Sequence, residues 1–158
     1  MIRIETKIQI AASQERIWGI VSKIDKDAHY WKGIKSIKNI SKDRNFVIRE
    51  ISLINGSKCF QKITLFQREG VHIRYTKGPM VGIKDILLTS TGSSTILEVQ
   101  MEYKLFGVVR LVPKSILEEL QYESELALQL IKEEAEEAPC VPLEKRKLWA
   151  ELVNEKNA

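Results

Sequence analysis

Residues 46–66 read FVIREISLINGSKCFQKITLF. Asn55-Gly56 lies between two β-rich runs. An Asn-Gly pair so placed is the strongest short hairpin signal, because both residues accept the positive φ that a tight primed turn demands. The flanking runs FVIREISL and KCFQKITLF are therefore expected to pair antiparallel. Downstream the same grammar continues. Glu69-Gly70 makes the next turn, before VHIRYTK. Gly78 to Gly82 forms a loop with one proline, before IKDILLTS, and Thr91 to Ser94 turns the chain into TILEVQMEYKL. In that last run Leu97, Val99, Met101 and Tyr103 alternate with Glu98, Gln100 and Glu102, the period-two pattern of a half-buried strand.

Upstream, residues 2–11 alternate as cleanly, with Ile2, Ile4, Ile8 and Ile10 on one side and Arg3, Glu5, Lys7 and Gln9 on the other. Ser13 reads as the N-cap of a helix over QERIWGIVS, and a second short helical piece fits around Asp25 to Trp31. With a strand from Ile34, seven strands are expected, all reachable by short antiparallel connections. A long helix is predicted over 114–137, with Pro113 suited to its first turn and Pro139 beyond its end. Its length would be about 36 Å. Ile116, Leu117, Leu120, Ser124, Ala127, Leu128 and Ile131 share one face. Tyr122, Leu126 and Leu130 form a second stripe roughly 140° away. The tail, APCVPLEKRKLWAELVNEKNA, opens as a Pro-containing linker. It continues as a short amphipathic helix with Leu148, Trp149, Leu152 and Val153.

The chain has 158 residues, 44% of them hydrophobic and 29% charged. That balance excludes wholesale disorder and suits one domain that needs no disulfide or metal staple. No apolar stretch approaches the roughly 20 residues of a membrane span. The start, MIRIETKIQI, lacks the apolar block of a signal peptide. Cys59 and Cys140 with His29 and His72 do not make a zinc framework of the usual spacing. A cytoplasmic protein with reduced thiols, no metal and no cofactor is the expectation. The net charge is +4. The basic excess lies before residue 113 and an acidic excess follows it. The densest basic stretch runs from Lys23 through Lys26, Lys32, Lys35, Lys38 and Lys42 to Arg44. It has few aromatics for stacking bases, so no DNA partner is expected. RNA or an anionic membrane surface stays open as a weaker possibility.

The order of elements, with these particular residues, resembles a known superfamily. The opening IETKIQIAASQERIWGIVSKID, with Ala11, Ala12, Ser13 and Trp18, is similar to the first strand, small-residue turn and Trp-bearing helix of the START and Bet v 1-like (SRPBCC) superfamily. HYWKGIKSIKNI, with Trp31, Gly33 and Ile34, is similar to that superfamily's approach to its second strand. The polyketide cyclase and coenzyme Q-binding protein branch is the part it resembles most, over about residues 2–137. The resemblance implies an α+β helix-grip fold: a curved seven-stranded antiparallel sheet wrapped around a long C-terminal helix, with two short helices between strands 1 and 2. It implies a hydrophobic ligand-binding domain over 1–137, with 138–158 outside the shared pattern.

Such a sheet encloses more volume than short side chains fill, and relatives hold lipids, sterols, quinones or polyketides there. On the strand phasing above, the lining would be Ile63, Leu65, Ile73, Tyr75, Leu87, Leu97, Val99, Met101 and Tyr103. Trp31 would stand near the mouth, and the long helix, with Leu120 and Ala127, would form the lid. A close-packed core is the alternative. Met80 and Met101 would suit pliable ligand contacts.

For chemistry, Arg49 and Glu50 are adjacent on one strand, so one of them points inward, and the pattern does not say which. An inward Glu50 would be a base. Asp85, in phase with Ile83 and Leu87, and Tyr75 are further candidate proton carriers. His72 falls on the outer face, His29 near the mouth, and Cys59 reads as an inert buried thiol. No Ser-His-Asp order, phosphate loop or paired-carboxylate motif stands out. The leading expectation is a carrier of an apolar small molecule. The alternatives are a cyclase-like enzyme and a protein- or RNA-interaction module, with homodimer contacts through Tyr122, Leu126 and Leu130 or the Trp149 tail.

Overall fold

A computed structural model of the chain describes residues 1–105 and 114–137. The expected Trp149 helix, its linker, Cys140 and Pro113 lie outside the described residues. In chain order the elements are β1 (Ile2–Ile10), α1 (Gln14–Val21), a 3-10 turn (Ile24–Lys26) and α2 (Asp27–Tyr30). There follow β2 (Ile34–Lys42), β3 (Phe46–Leu53), β4 (Lys58–Phe66), β5 (Gly70–Lys77), β6 (Met80–Ser90), β7 (Thr95–Leu105) and α3 (Lys114–Glu136). The seven strands among the described residues make one antiparallel sheet in the order β1-β7-β6-β5-β4-β3-β2. The meander thus runs in sequence order from β2 to β7, and β1 joins beside β7.

Local chemistry accounts for these elements. Ser13 caps α1, its hydroxyl accepting from the Arg16 N–H at 3.2 Å. The hairpin forms at Asn55-Gly56, but its turn is not a primed one: Gly56 alone takes positive φ, at +90°, its N–H donates to the Leu53 carbonyl at 2.9 Å, and Asn55 Oδ1 accepts from the Ser57 N–H at 2.9 Å. The hairpin register sets Val47 opposite Ile63, Arg49 opposite Gln61 and Ile51 opposite Cys59. All six side chains are buried on the inner face. The edge strand β2 is mostly exposed. Its Lys35, Lys38 and Lys42 put charge along an open sheet edge, which discourages pairing with another chain. Lys42 also pairs with Asp25 at 3.1 Å.

Helix α3 lies across the inner face and is fastened at its C-terminal end. The Arg16 guanidinium donates to the carbonyls of Ala135 (2.6 Å) and Glu134 (3.1 Å), where a cation also complements the helix dipole. The Ala11 N–H donates to Glu136 at 2.8 Å, Lys132 Nζ donates to the Gln9 carbonyl at 2.8 Å, and the Tyr30 hydroxyl donates to Glu134. Ala127, Leu128, Ile131 and Ala135 are buried in this half, and Ser124 is buried at mid-helix. The N-terminal half packs less: Ile116 and Leu120 are half-buried and Leu117 is exposed.

One strand phase differs from expectation. Lys84, Ile86 and Leu88 of β6 face inward and are buried, while Asp85 and Leu87 face outward. The run IKDILL is apolar in both phases, so alternation alone does not choose between them. The register decides: Lys84 sits opposite Ile73 on one side and Met101 on the other, both inward.

Candidate functional site

Between the sheet and the N-terminal half of α3 lies a cavity of about 540 Å³. Its walls come from Trp31, Gly33 and Ile34 at the entry to β2, from Ile51 and Leu53 of β3 with Ile54 and Asn55 of the turn after it, and from Pro79 with Met80 and Lys84 of β6. Tyr75, Met101, Tyr103 and Leu105 form the floor; Ile116, Glu119, Leu120 and Glu123 hang from α3. The lining is largely apolar, with a few polar groups.

Those polar groups are held by the fold. Tyr75 and Tyr103 meet edge to face with ring centres 5.1 Å apart. Gly82, opposite both in the register, has no side chain to separate them. A Cβ there would stand 2.0 Å from the Glu102 carbonyl oxygen. Burial pushes the Tyr75 phenol up to about 12 and Tyr103 well above its ordinary value, so both stay protonated at neutral pH. Glu123 accepts from the Gly33 N–H at 3.0 Å, tying α3 to the start of β2. Lys84 is buried, with Nζ 3.0 Å from the centre of the Trp31 ring, a cation–π placement. Burial draws its ammonium down to about 7.

Behind the cavity wall, Arg49 is the inward member of the Arg49-Glu50 pair and is fully buried. Its guanidinium donates at 2.7 Å to Asp27 Oδ2, to Gln61 Oε1 and to the Ile24 carbonyl. Burial holds the Asp27 carboxyl above its usual range against the pull of Arg49. Gln61 Nε2 is buried with no acceptor among the described residues.

Of the residues expected to line a pocket, Trp31, Tyr75, Met101, Tyr103 and Leu120 surround this cavity. Ile63, Ile73, Leu97, Val99 and Ala127 are buried in the packed core beside it, and Leu65 packs half-buried against that core. Leu87 is 37% exposed on the outer face, a consequence of the β6 phase. Asp85 is on that face too, paired with His72 at 2.5 Å. Glu50 faces outward and pairs with Lys58 at 3.6 Å, because its neighbour Arg49 takes the inward place. His29 packs edge-on against Tyr30. Of the second helix stripe, Tyr122 is exposed, Leu126 is half-buried, and Leu130 packs against the core.

The expectation missed Lys84, Glu123 and Asp27. A signal for Lys84 was present. The turn Thr91–Ser94, closed by the Thr91 N–H to the Ser94 carbonyl at 2.9 Å, sets Ser90 opposite Thr95. Counting back from there places Lys84 opposite Met101, on the face already assigned to the interior. Glu123 and Asp27 carried no comparable sign, since their partners are a backbone N–H and a distant arginine.

No family model matches the sequence, and no curated protein matches it. Solved structures do match in shape. A protein of Thermus thermophilus superposes with a TM-score of 0.73 at 13% identity, covering 84% of this chain and 95% of the other. An aromatase/cyclase from Streptomyces sp. R1128 gives 0.68 at 13% identity, covering 85% and 93%. A START superfamily protein from Mycobacterium smegmatis gives 0.64 at 16% identity, covering 85% and 97%. At such identities the likeness is one of architecture, and the chain has the START-like helix-grip fold.

Proposed function

We propose that this protein binds and carries a mostly apolar small molecule in the cavity between its sheet and α3. The observation that supports this reading is the cavity itself. Its volume of about 540 Å³ falls within the range of small-molecule sites, and apolar walls with a few fixed polar groups are their usual character. The ligand would lie against Met80 and Met101, whose unbranched side chains adapt to its outline. Its polar end would meet the Tyr75 and Tyr103 hydroxyls. Exchange would pass between the N-terminal half of α3, the Asn55 turn and the Pro79-Met80 segment, all of which line the cavity. Lipids, quinones and aromatic polyketides all suit this description.

Native mass spectrometry of gently purified protein, with its organic extract analysed in parallel, tests the reading. A stoichiometric apolar adduct is the expected result. A clean apo mass, together with no saturable binding of a lipid, a quinone or an aromatic polyketide at micromolar concentration, would overturn it.

A second reading, cyclase-like chemistry on a folded polyketide-type chain, is favoured by the buried phenols and the amine on the cavity wall. Of the three proton carriers expected from the sequence, Tyr75 alone lines the cavity. This reading expects turnover, with Tyr75→Phe lowering rate more than affinity.

A further inference from the structure

Among the described residues two buried cations face the interior, and they are treated differently. Arg49 has a carboxylate, an amide oxygen and a carbonyl around it. Lys84 has the face of Trp31, and among the described residues no carboxylate reaches ion-pair distance. Asp27 and Glu123 favour its charge from farther away, Arg49 opposes it, and burial outweighs the rest. The residue is 3% exposed. It sits on β6, flanked on both sides by β5 and β7, so the backbone cannot carry the amine out to water. The cavity is thus furnished with a primary amine on a rigid wall, next to Trp31 and facing apolar space.

The acidic side chains of the lining narrow what such an amine would meet. Glu119 and Glu123 of α3 border the cavity and disfavour an anionic ligand. A neutral molecule with an electrophilic carbon is the complementary partner.

We propose that Lys84 forms a reversible imine with an apolar aldehyde or ketone bound in the cavity. The inference rests on the reading that the cavity takes an apolar ligand. The Nζ lone pair adds to the carbonyl carbon as the C=O π pair moves to oxygen. A proton passes from nitrogen to that oxygen, giving a carbinolamine. The hydroxyl then takes a second proton and leaves as water while the nitrogen lone pair closes the C=N bond, and the nitrogen gives up its remaining proton to restore the donor. Carbonyl and amine are consumed and one water is released, with no change of oxidation state. The cavity favours the step in two ways. Its dryness leaves a large share of the amine unprotonated at neutral pH, where an exposed lysine is almost wholly ammonium. The Tyr75 and Tyr103 phenols, protonated at that pH, are placed among the cavity walls to donate to the departing oxygen.

The test uses the full chain, decanal as the probe and sodium cyanoborohydride to reduce any imine to a stable amine. Intact mass and peptide mapping locate the label. Apart from the α-amine, whose ordinary pKa is about 8, one label per chain is expected, at Lys84, formed at least about tenfold faster at pH 7 than at any exposed lysine. Its rate should level off above about pH 7, while exposed lysines go on gaining reactivity. Decanol, which has no carbonyl, should protect Lys84 by occupying the cavity. Lys84→Arg should abolish the label, and the parent chain should bind the neutral dye Nile red. Labelling spread over exposed lysines with Lys84 unmodified, or labelling of Lys84 that decanol does not slow, would overturn the imine. If Nile red binds in either case, the cavity-binding reading survives that failure. If Nile red does not bind and no label forms, both fall.

Discussion

Arg49 and Asp27 form a pair taken out of water, with 2.7 Å between guanidinium and carboxylate. Removing one partner of such a pair strands the other. Arg49→Met is expected to cost about 3–5 kcal/mol, read as a lowered urea midpoint with an unchanged slope. Arg49→Met combined with Asp27→Asn should recover part of that loss, because the stranded carboxylate is gone. Lys84 works the other way. Its native pKa of about 7 lies below the unfolded value of about 10.4. Between those two values the unfolded chain holds a proton that the native state lacks, so stability climbs as pH rises through 7. Lys84→Met removes that climb. The variant is expected to exceed the parent in stability at pH 6, with a margin that shrinks from pH 7 to 9. Parallel urea-midpoint curves over that range would refute the assignment.

Elements differed in how well the sequence announced them. β7 and the Asn55-Gly56 hairpin were legible because one phase is apolar and the other polar, and because the turn demands its residues. The helices α1 and α3 were legible from cap and periodicity. β6 was not read correctly by alternation, since it is apolar in both phases, and its meaning resides in the register that a neighbouring turn imposes. The cavity was legible only as a consequence of fold. No pattern in α3 shows that its C-terminal half would be tied down by Arg16 and Ala11 while its N-terminal half stands over empty space. Gly33 is where the two regimes meet. A Cβ there would come within 2.6 Å of Glu123 Oε1, so Gly33→Ala must push that carboxylate aside and break the N–H contact. The expected outcome is Nile red affinity weakened by about tenfold with a stability loss of roughly 1 kcal/mol. Equal affinity in the variant would show that this tie does not shape the cavity.

At the scale of the whole molecule, the sheet and α3 enclose a site that only the folded chain possesses. A ligand bound there stabilises the fold by mass action, by about 2.7 kcal/mol at a hundred times its Kd. For a chain of this size the Tm should rise by roughly 5–10 °C, and differential scanning fluorimetry with the extracted ligand measures it. No helix among the described residues is long and apolar enough to cross a membrane, and Lys35, Lys38 and Lys42 of the basic stretch lie exposed along the β2 edge. β1 brings a different consequence. Ile2 pairs with Tyr103, and Ile10 with Thr95. On the ribosome, β1 is made ahead of its partner β7 by roughly 5–20 s at ordinary rates of synthesis. Through that interval a ribbon of isoleucines has no neighbour, so the newborn chain depends on whatever shields it until β7 arrives.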